Sequence, residues 1–157
     1  MRNLLYSLAV GAMLSAAAQA QEANTVTVQR ADSVPPREGP AENFTGKVEV
    51  RGGFQRSAPA RVGGATVTFQ PGARTNWHTH PLGQTLVVTA GQGWVQHWGG
   101  ERQAIRPGDV VWIPPNVKHW HGASAEQSMT HLAVSEKDDA GVVVEWLEVV
   151  TDAQYEP

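Results

Sequence analysis

Four histidines and one glutamine stand at spacings that suit a divalent metal site. His78 and His80 are separated by one residue, and His119 and His121 repeat that spacing further along the chain. Every second side chain of a β-strand points to the same face, so each pair presents two imidazoles together. Imidazole nitrogens and the carboxamide oxygen of Gln84 are suitable metal ligands. We therefore expect two facing strands around one ion.

The rest of the chain predicts strands that could position these side chains. β-branched and aromatic stretches are separated by turn sequences such as Pro71–Gly72 and Pro107–Gly108. The predicted strands cover residues 44–50, 65–69, 85–89, 94–98, 110–113, 129–135 and 142–150, and a short C-terminal helical turn covers 151–155. Many short strands of this kind predict an all-β sandwich or barrel, which we expect to be a meander of hairpins.

The beginning of the chain is typical of a secretory signal peptide. Arg2 precedes an apolar run over residues 4–18, and Ala18-Gln19-Ala20 provides a small-residue cleavage site. We predict a signal peptide at residues 1–20, with an uncleaved anchor as the alternative, and an N-terminal arm or linker at residues 21–43. This arm contains a short β-like run at 25–29 and could end in an edge strand. Residues 44–157 are expected to form one barrel domain, in a periplasmic or secreted protein.

Composition argues against several classes of protein. The 157 residues include no cysteine, so neither a disulfide nor a thiolate ligand is available. The net charge is −3 and no basic cluster is present, which argues against nucleic-acid binding. No apolar run of membrane-spanning length follows the signal, so no stable span is expected after its cleavage. The expected partner is a small-molecule substrate.

The two histidine regions resemble the two motifs of the cupin family. The residues at the spacing of the first motif are Gly72, His78, His80, Gln84 and Gly91, and those of the second are Gly108, Pro114 and His119. Gln84 stands where most cupins carry Glu, and Asn116 and Ala123 replace the usual Gly and Asn of the second motif. The resemblance covers about residues 46–150 and implies a single-domain cupin, a double-stranded β-helix or jelly-roll barrel.

Longer stretches resemble the small bacterial manganese cupins that act as hydroxynitrile lyases. The matching stretches are residues 72–86, 107–112, 118–123, 129–133 and 150–155. In that family the metal is held by residues that match His78, His80, Gln84 and His119. The resemblance implies one divalent ion per subunit and favours manganese, whereas ligand type alone also allows iron, zinc, nickel or cobalt. A homodimer or homotetramer is expected, because cupins of this kind usually pair.

The resemblance and the strand alternation together indicate residues around the substrate. Residues matching His121, His131 and Thr75 line the substrate space in the lyases. Alternation along residues 65–69 adds Ala65 and Val67 on one face. The lyases are expected to carry an amide at position 135, where this chain has Ser135.

The sequence pattern, taken without the family resemblance, also suggests structural roles for the aromatic residues and for His131. Phe44 and Trp77 are additional candidates for the wall of the substrate space. For these two residues, and for Ala65 and Val67, the alternative is ordinary core packing. His131 taken by itself is typical of a buried, hydrogen-bonded core histidine rather than a ligand. The remaining tryptophans are interpreted as core or subunit-contact residues, and they are Trp94, Trp98, Trp112, Trp120 and Trp146.

The expected chemistry is the reversible cleavage of a cyanohydrin. Three neutral imidazoles and an amide leave the charge of a divalent ion uncompensated, which makes it a strong Lewis acid. A coordinated hydroxyl then becomes more acidic, and His121 is the predicted base that takes its proton while the carbon–carbon bond breaks. The alternative role for His121 is to orient a ligand without touching the substrate.

Other functions are compatible with the same residues. One is a cupin isomerase or ring-opening enzyme that acts on sugar-derived or keto-acid metabolites, and oxygen-dependent dioxygenase chemistry is a weaker choice. Another is a non-catalytic periplasmic module that uses the metal to hold a small anion. The anion-binding module would bind tightly without turnover and would tolerate His121→Ala.

Overall fold

A computed structural model describes residues 25–155 of the chain, and the residues from Val34 onward form one compact unit. The predicted signal peptide lies outside the described residues. Residues 25–33 belong to a separate unit and contain no strand, so the β-like run expected at 25–29 is wrong. Val26 and Val28 are 91% and 64% exposed, so the alternating pattern has no buried face to stabilise a strand there.

The compact unit is built almost entirely from short strands, which confirms the all-β prediction. The strands are β1 (Arg37–Glu38), β2 (Phe44–Thr45), β3 (Val48–Gln55), β4 (Val62–Phe69), β5 (Arg74–Thr75), β6 (His78–Thr79), β7 (Gln84–Gly91), β8 (Gly93–His97), β9 (Gln103–Ile105), β10 (Val110–Ile113), β11 (His119–Ala123), β12 (Met129–Glu136) and β13 (Glu145–Trp146). One helix, α1 (Asp152–Tyr155), follows. Within residues 25–155, no helix has the length and apolar character needed to cross a membrane.

The strands form two sheets whose order differs from a meander. The first sheet runs β1-β3-β4-β12-β7-β10, and the second runs β13-β6-β11-β5-β2, with β8 on β11 and β9 on β8. β12 lies between β4 and β7, which are both distant from it in sequence, so the expected succession of hairpins is wrong at the centre of the first sheet. β1 is an edge strand, as expected for the end of the arm.

The inner faces of the two sheets meet in the main hydrophobic core. Its buried members are Val48, Val67, Phe69, Ala73, Val88, Val95, Ile105, Ala123 and Met129. They come from strands of both sheets and from the turn before β5, and each large apolar side chain contributes about 1.5–3 kcal/mol by leaving water. This core joins the two sheets along one part of the barrel, and the histidines lie beside it.

A second cluster covers the outer face of the second sheet. Trp120 lies between His119 and His121 on β11, so alternation directs its side chain outward, where it packs with Trp77, Val150 and Tyr155. The hydroxyl of Tyr155 donates to the backbone oxygen of Ala123 over 2.8 Å. The C-terminal segment is therefore attached to the back of the strand that carries two site histidines.

The C-terminal segment contains less strand than the sequence predicts. Only Glu145–Trp146 of the predicted strand 142–150 is a strand. The residues after it form hydrogen bonds from Leu147 N to Trp77 O (2.8 Å) and from Trp77 N to Glu148 O (3.0 Å). The helical turn at 151–155 is confirmed, and the hydroxyl of Thr151 caps it by accepting from Gln154 N at 3.3 Å.

Glycine explains another difference from the prediction. The expected strand 44–50 is split into β2 and β3 at Gly46, which has a φ of +79°. A Cβ at this position would lie 2.9 Å from Ala73. The close approach and the left-handed backbone together require glycine here.

Candidate metal centre

Three histidines converge where the two sheets meet. His78 on β6 lies directly opposite His119 on β11, and their ring centroids are 4.2 Å apart. His80 follows β6, with its ring 5.2 Å from that of His78. One ligand nitrogen of each of the three lies within 4.8 Å of the other two, and all three side chains are buried. The structure thus brings together the three imidazoles that the sequence predicted as ligands.

Backbone carbonyls fix the proton position on each of these imidazoles. In every case Nδ1 faces a carbonyl oxygen, which can only accept a hydrogen bond, so Nδ1 carries the hydrogen. The pairs are His78 with Asn76 (2.9 Å), His80 with Val143 (2.7 Å) and His119 with Val117 (2.8 Å). Each Nε2 therefore keeps a free lone pair. This arrangement of backbone partners behind the ligands is typical of histidines that bind metal.

Gln84 adds an oxygen to the same space. Its Oε1 lies 3.3 Å from Nε2 of His119, and both atoms are acceptors, so the contact is favourable only around a shared cation. Ligands at right angles around one ion, each about 2.1 Å away, lie about 3 Å apart. A reversed carboxamide would donate to His119, but Nε2 of His80 is buried without a hydrogen-bond partner in either case. The four residues therefore fit a divalent metal.

Burial keeps the three imidazoles neutral, as coordination requires. Burial, followed by the neighbouring His119, holds the pKa of His78 well below its ordinary value. Burial also lowers the pKa of His80, and it lowers the pKa of His119 to about 4. No Asp or Glu side chain is buried in the described part of the chain, so no buried carboxylate would offset the charge of an ion.

His121 and His131 form a buried pair beside this cluster. Nδ1 of His121 lies 3.2 Å from Nε2 of His131, and Phe69 packs against both rings. Nε2 of His121 and Nδ1 of His131 are buried without partners. Burial, followed by the nearby His131 and His78, lowers the pKa of His121 well below its ordinary value. Burial lowers the pKa of His131 to about 4. Both rings are neutral near pH 7, with one basic nitrogen available in the pair.

The other predicted substrate residues share this interior. Thr75 is 2% exposed, and its hydroxyl accepts a 3.2 Å hydrogen bond from the backbone N–H of His121. On the first sheet Val67 lies opposite His131, and Ser135 lies opposite Gln84. Residues directly opposite each other in an antiparallel pair share a face. Ala65 is two residues from Val67 on β4, so it belongs to the same inner face and is half-buried.

One aromatic assignment needs correction, and another aromatic residue lies beside the site. Trp77 is not an interior wall residue, because it directly precedes β6 and packs with Trp120 in the outer cluster. Conversely, Trp146, interpreted as a core or subunit-contact residue, lies opposite His78 with its ring centroid 4.9 Å from the imidazole. The ring of Phe44 lies 5.4 Å from that of Trp146. Sequence reasoning missed Trp146 because no local pattern reveals that β13 pairs with β6.

Asn116 explains one departure from the second motif. Its φ is +61°, a left-handed conformation that asparagine tolerates better than most residues. Its N–H donates to the backbone oxygen of His80 over 2.8 Å. Asn116 can therefore replace glycine and still hold the loop that carries a predicted ligand.

The chain belongs to the cupin family, since residues 65–135 match the cupin domain and a curated relative matches most of the chain. That relative is the (R)-mandelonitrile lyase of Granulicella tundricola, 57% identical over 128 residues, which cover 82% of this chain and 97% of the lyase. A cupin-like protein from Thermotoga maritima has 36% identity and a TM-score of 0.69, covering 83% of this chain and 95% of its own. A polyketide cyclase from Streptomyces resistomycificus shares the fold at 16% identity and a TM-score of 0.65, over 84% of this chain and 92% of the cyclase.

Proposed function

We propose that this cupin is a metal-dependent hydroxynitrile lyase, which cleaves α-hydroxynitriles reversibly into an aldehyde and hydrogen cyanide. The observation that carries the proposal is the convergence of three Nε2 lone pairs and Gln84 Oε1 beside the buried pair of His121 and His131. The 57% identity to a protein named (R)-mandelonitrile lyase supports this choice among cupin reactions.

The proposed metal ligands are His78, His80, Gln84 and His119. Their nitrogen and oxygen atoms suit a divalent first-row ion, and manganese is the one that the family resemblance favours. When bound, the ion supplies Lewis acidity that makes a hydroxyl at the site more acidic. The backbone oxygens of Asn76, Val143 and Val117 keep the three imidazoles turned toward the ion.

His121 is the proposed base, and its hydrogen bond with His131 determines which of its two ring nitrogens is free to accept a proton. When Nδ1 of His121 donates to Nε2 of His131, Nε2 of His121 keeps a lone pair. This nitrogen accepts the proton of the cyanohydrin hydroxyl. The carbon–carbon bond then breaks, the oxygen forms the carbonyl, and the bond's electron pair leaves with cyanide. Transfer of the proton from Nε2 to cyanide gives hydrogen cyanide and restores the neutral base.

The surrounding side chains position the base and bound the substrate. Thr75 holds the backbone of His121 through its hydroxyl. Phe69 is fully buried and its ring packs against the His121 ring, which excludes water from that side. Ala65 and Val67 are the proposed walls that limit the bulk of the substrate, and Ser135 is the polar residue beside Gln84.

The direct test is the release of benzaldehyde from mandelonitrile by manganese-loaded protein, with the spontaneous rate subtracted. We expect turnover by the wild type, and a loss of at least about 100-fold in kcat for His121→Ala with its metal retained. His97→Ala is the matched control, because His97 is exposed and is not one of the three clustered histidines; it lies opposite His119 on β8, so the control also tests whether a neighbour of the cluster is needed. Tight anion binding without any turnover would contradict the proposal and favour the binding-module alternative.

A further inference from the structure

One arginine lies on the inner face of the first sheet, in line with the histidine pair. Arg37 on β1 lies opposite Val50 on β3, Val50 lies opposite Val67 on β4, and Val67 lies opposite His131 on β12. Directly opposite residues of antiparallel strands share a face. The four residues therefore form one row across the inner face, and the row ends at the partner of His121.

Arg37 also lines a cavity that includes Ala65, one of the predicted substrate residues. This cavity has a volume of about 380 Å³, and its walls include Val50 and Ala65. Arg37 is the one charged residue among its lining residues. Ala65 is also a proposed wall of the substrate space, so it is the residue that the cavity and the proposed substrate space have in common.

The acidic residues of these strands lie on the opposite face. Glu38 lies opposite Glu49, and Glu49 forms an ion pair with Arg51 at 2.5 Å. Among the described residues, Arg37 takes part in none of the ion pairs and none of the side-chain hydrogen bonds. Its guanidinium is thus available to an anion. An inward-facing charge on an edge strand also discourages pairing with another sheet, and the experiment below separates that role from binding.

We propose that Arg37 forms an anion subsite at the mouth of the barrel, which binds a carboxylate at the end of the substrate remote from the reacting carbon. Three strand spacings of about 4.8 Å place its Cα about 14 Å from that of His131 along the sheet. An extended arginine side chain directed toward the histidine pair would shorten this span. The substrate class is a hydroxynitrile, or the corresponding aldehyde, with a terminal carboxylate. This inference rests on the proposed function for the reacting end.

The test compares two aldehydes in cyanide addition: benzaldehyde and para-carboxybenzaldehyde. The measured quantity is the ratio of kcat/KM for the charged aldehyde to that for the neutral one. We expect this ratio to fall about fivefold in Arg37→Gln, the effect of losing one partly exposed ion pair, and mostly through KM. Arg37→Lys should keep most of the preference because it keeps the charge. Arg51→Gln is the matched control on the outer face and should leave the ratio unchanged.

Two results distinguish the subsite from the reaction. An unchanged ratio in Arg37→Gln contradicts the subsite and leaves Arg37 with an edge-protecting role only. If neither the wild type nor any variant turns over either aldehyde, the proposed function is wrong. The subsite is then tested separately, by calorimetric titration of the proteins with terephthalate. Weaker terephthalate binding in Arg37→Gln than in Arg51→Gln then supports the subsite, and equal binding contradicts it.

Discussion

Gln84 gives the proposed metal centre a neutral oxygen donor at a buried position. Its side chain is 6% exposed, and none of the residues clustered with it is acidic. A carboxylate at this position would cancel one unit of an ion's charge. The neutral donor therefore weakens attraction for the ion but leaves a stronger Lewis acid for the substrate.

We expect Gln84→Glu to bind manganese about tenfold more tightly, because a ligand of opposite charge strengthens binding to a cation. We also expect slower release of benzaldehyde from mandelonitrile, because the ion polarises the hydroxyl less. Titration of metal-free protein with buffered manganese gives the affinity, and the lyase assay gives kcat. Tighter binding with unchanged or faster turnover would contradict this account of Gln84.

The sequence predicted the residues that the structure brings together, but not all of their hydrogen-bond partners. His78 and His119 donate to carbonyls two residues earlier, a distance that local strand geometry can supply. His80 instead donates to Val143, which is 63 residues away in the chain. A single sequence does not reveal which distant carbonyl contacts a histidine, so the hydrogen bond from His80 to Val143 was not predicted. Trp146 was missed for the same reason, because its position depends on the pairing of β13 with β6.

At the level of the strands, Gly91 of the first motif allows the end of β7 to lie close to the beginning of β12. Gly91 has a φ of +74°, and a Cβ there would lie 1.8 Å from the backbone oxygen of Ser128. Gly99 has nearly the same φ, +75°, with nothing within 4 Å of a built Cβ. The two positions differ in available space rather than in backbone conformation.

We predict that Gly91→Ala costs about 3–5 kcal/mol of unfolding free energy, from left-handed strain and a clash with backbone. Gly99→Ala carries only the strain and should cost about 1–2 kcal/mol. Denaturant unfolding of both variants gives the comparison. Equal losses would show that the close approach of Ser128 does not restrict position 91.

Strand bounds were predicted well where residues that face the core alternate in the sequence with residues that face outward. β10 has the predicted bounds, since Val111 and Ile113 face inward while Val110 and Trp112 face outward. The tail at 142–150 has β-branched residues but bonds to Trp77 instead of entering a sheet along its length. The β-branched residues correctly indicated an extended backbone in this segment. Only Glu145–Trp146 is a strand, because only these two residues pair with β6.

At the scale of the whole molecule, burying neutral histidines makes stability depend on pH. Burial lowers the pKa of His119 and of His131 to about 4, whereas an unfolded chain has histidines near 6.5. Between these values the unfolded state binds more protons than the folded state. Stability is therefore complete above about pH 6.5 and is lost as pH falls toward 4.

We predict that metal-free protein loses roughly 3 kcal/mol of unfolding free energy for each of these two histidines when the pH falls across this range. Denaturant unfolding at a series of pH values measures the loss. Metal-loaded protein should lose more over the same range, because protons also compete with the ion. A free energy that stays constant between these pH values would contradict the buried neutral state.

The proposed metal centre is tested by the metal content of protein purified without added ions, measured together with its mandelonitrile turnover. We expect one divalent ion per subunit, loss of benzaldehyde release when a chelator removes the ion, and recovery on adding manganese. His80→Ala should lose the ion and His97→Ala should keep it. Turnover that survives complete removal of the metal, or equal metal content in the two variants, would contradict the proposed centre.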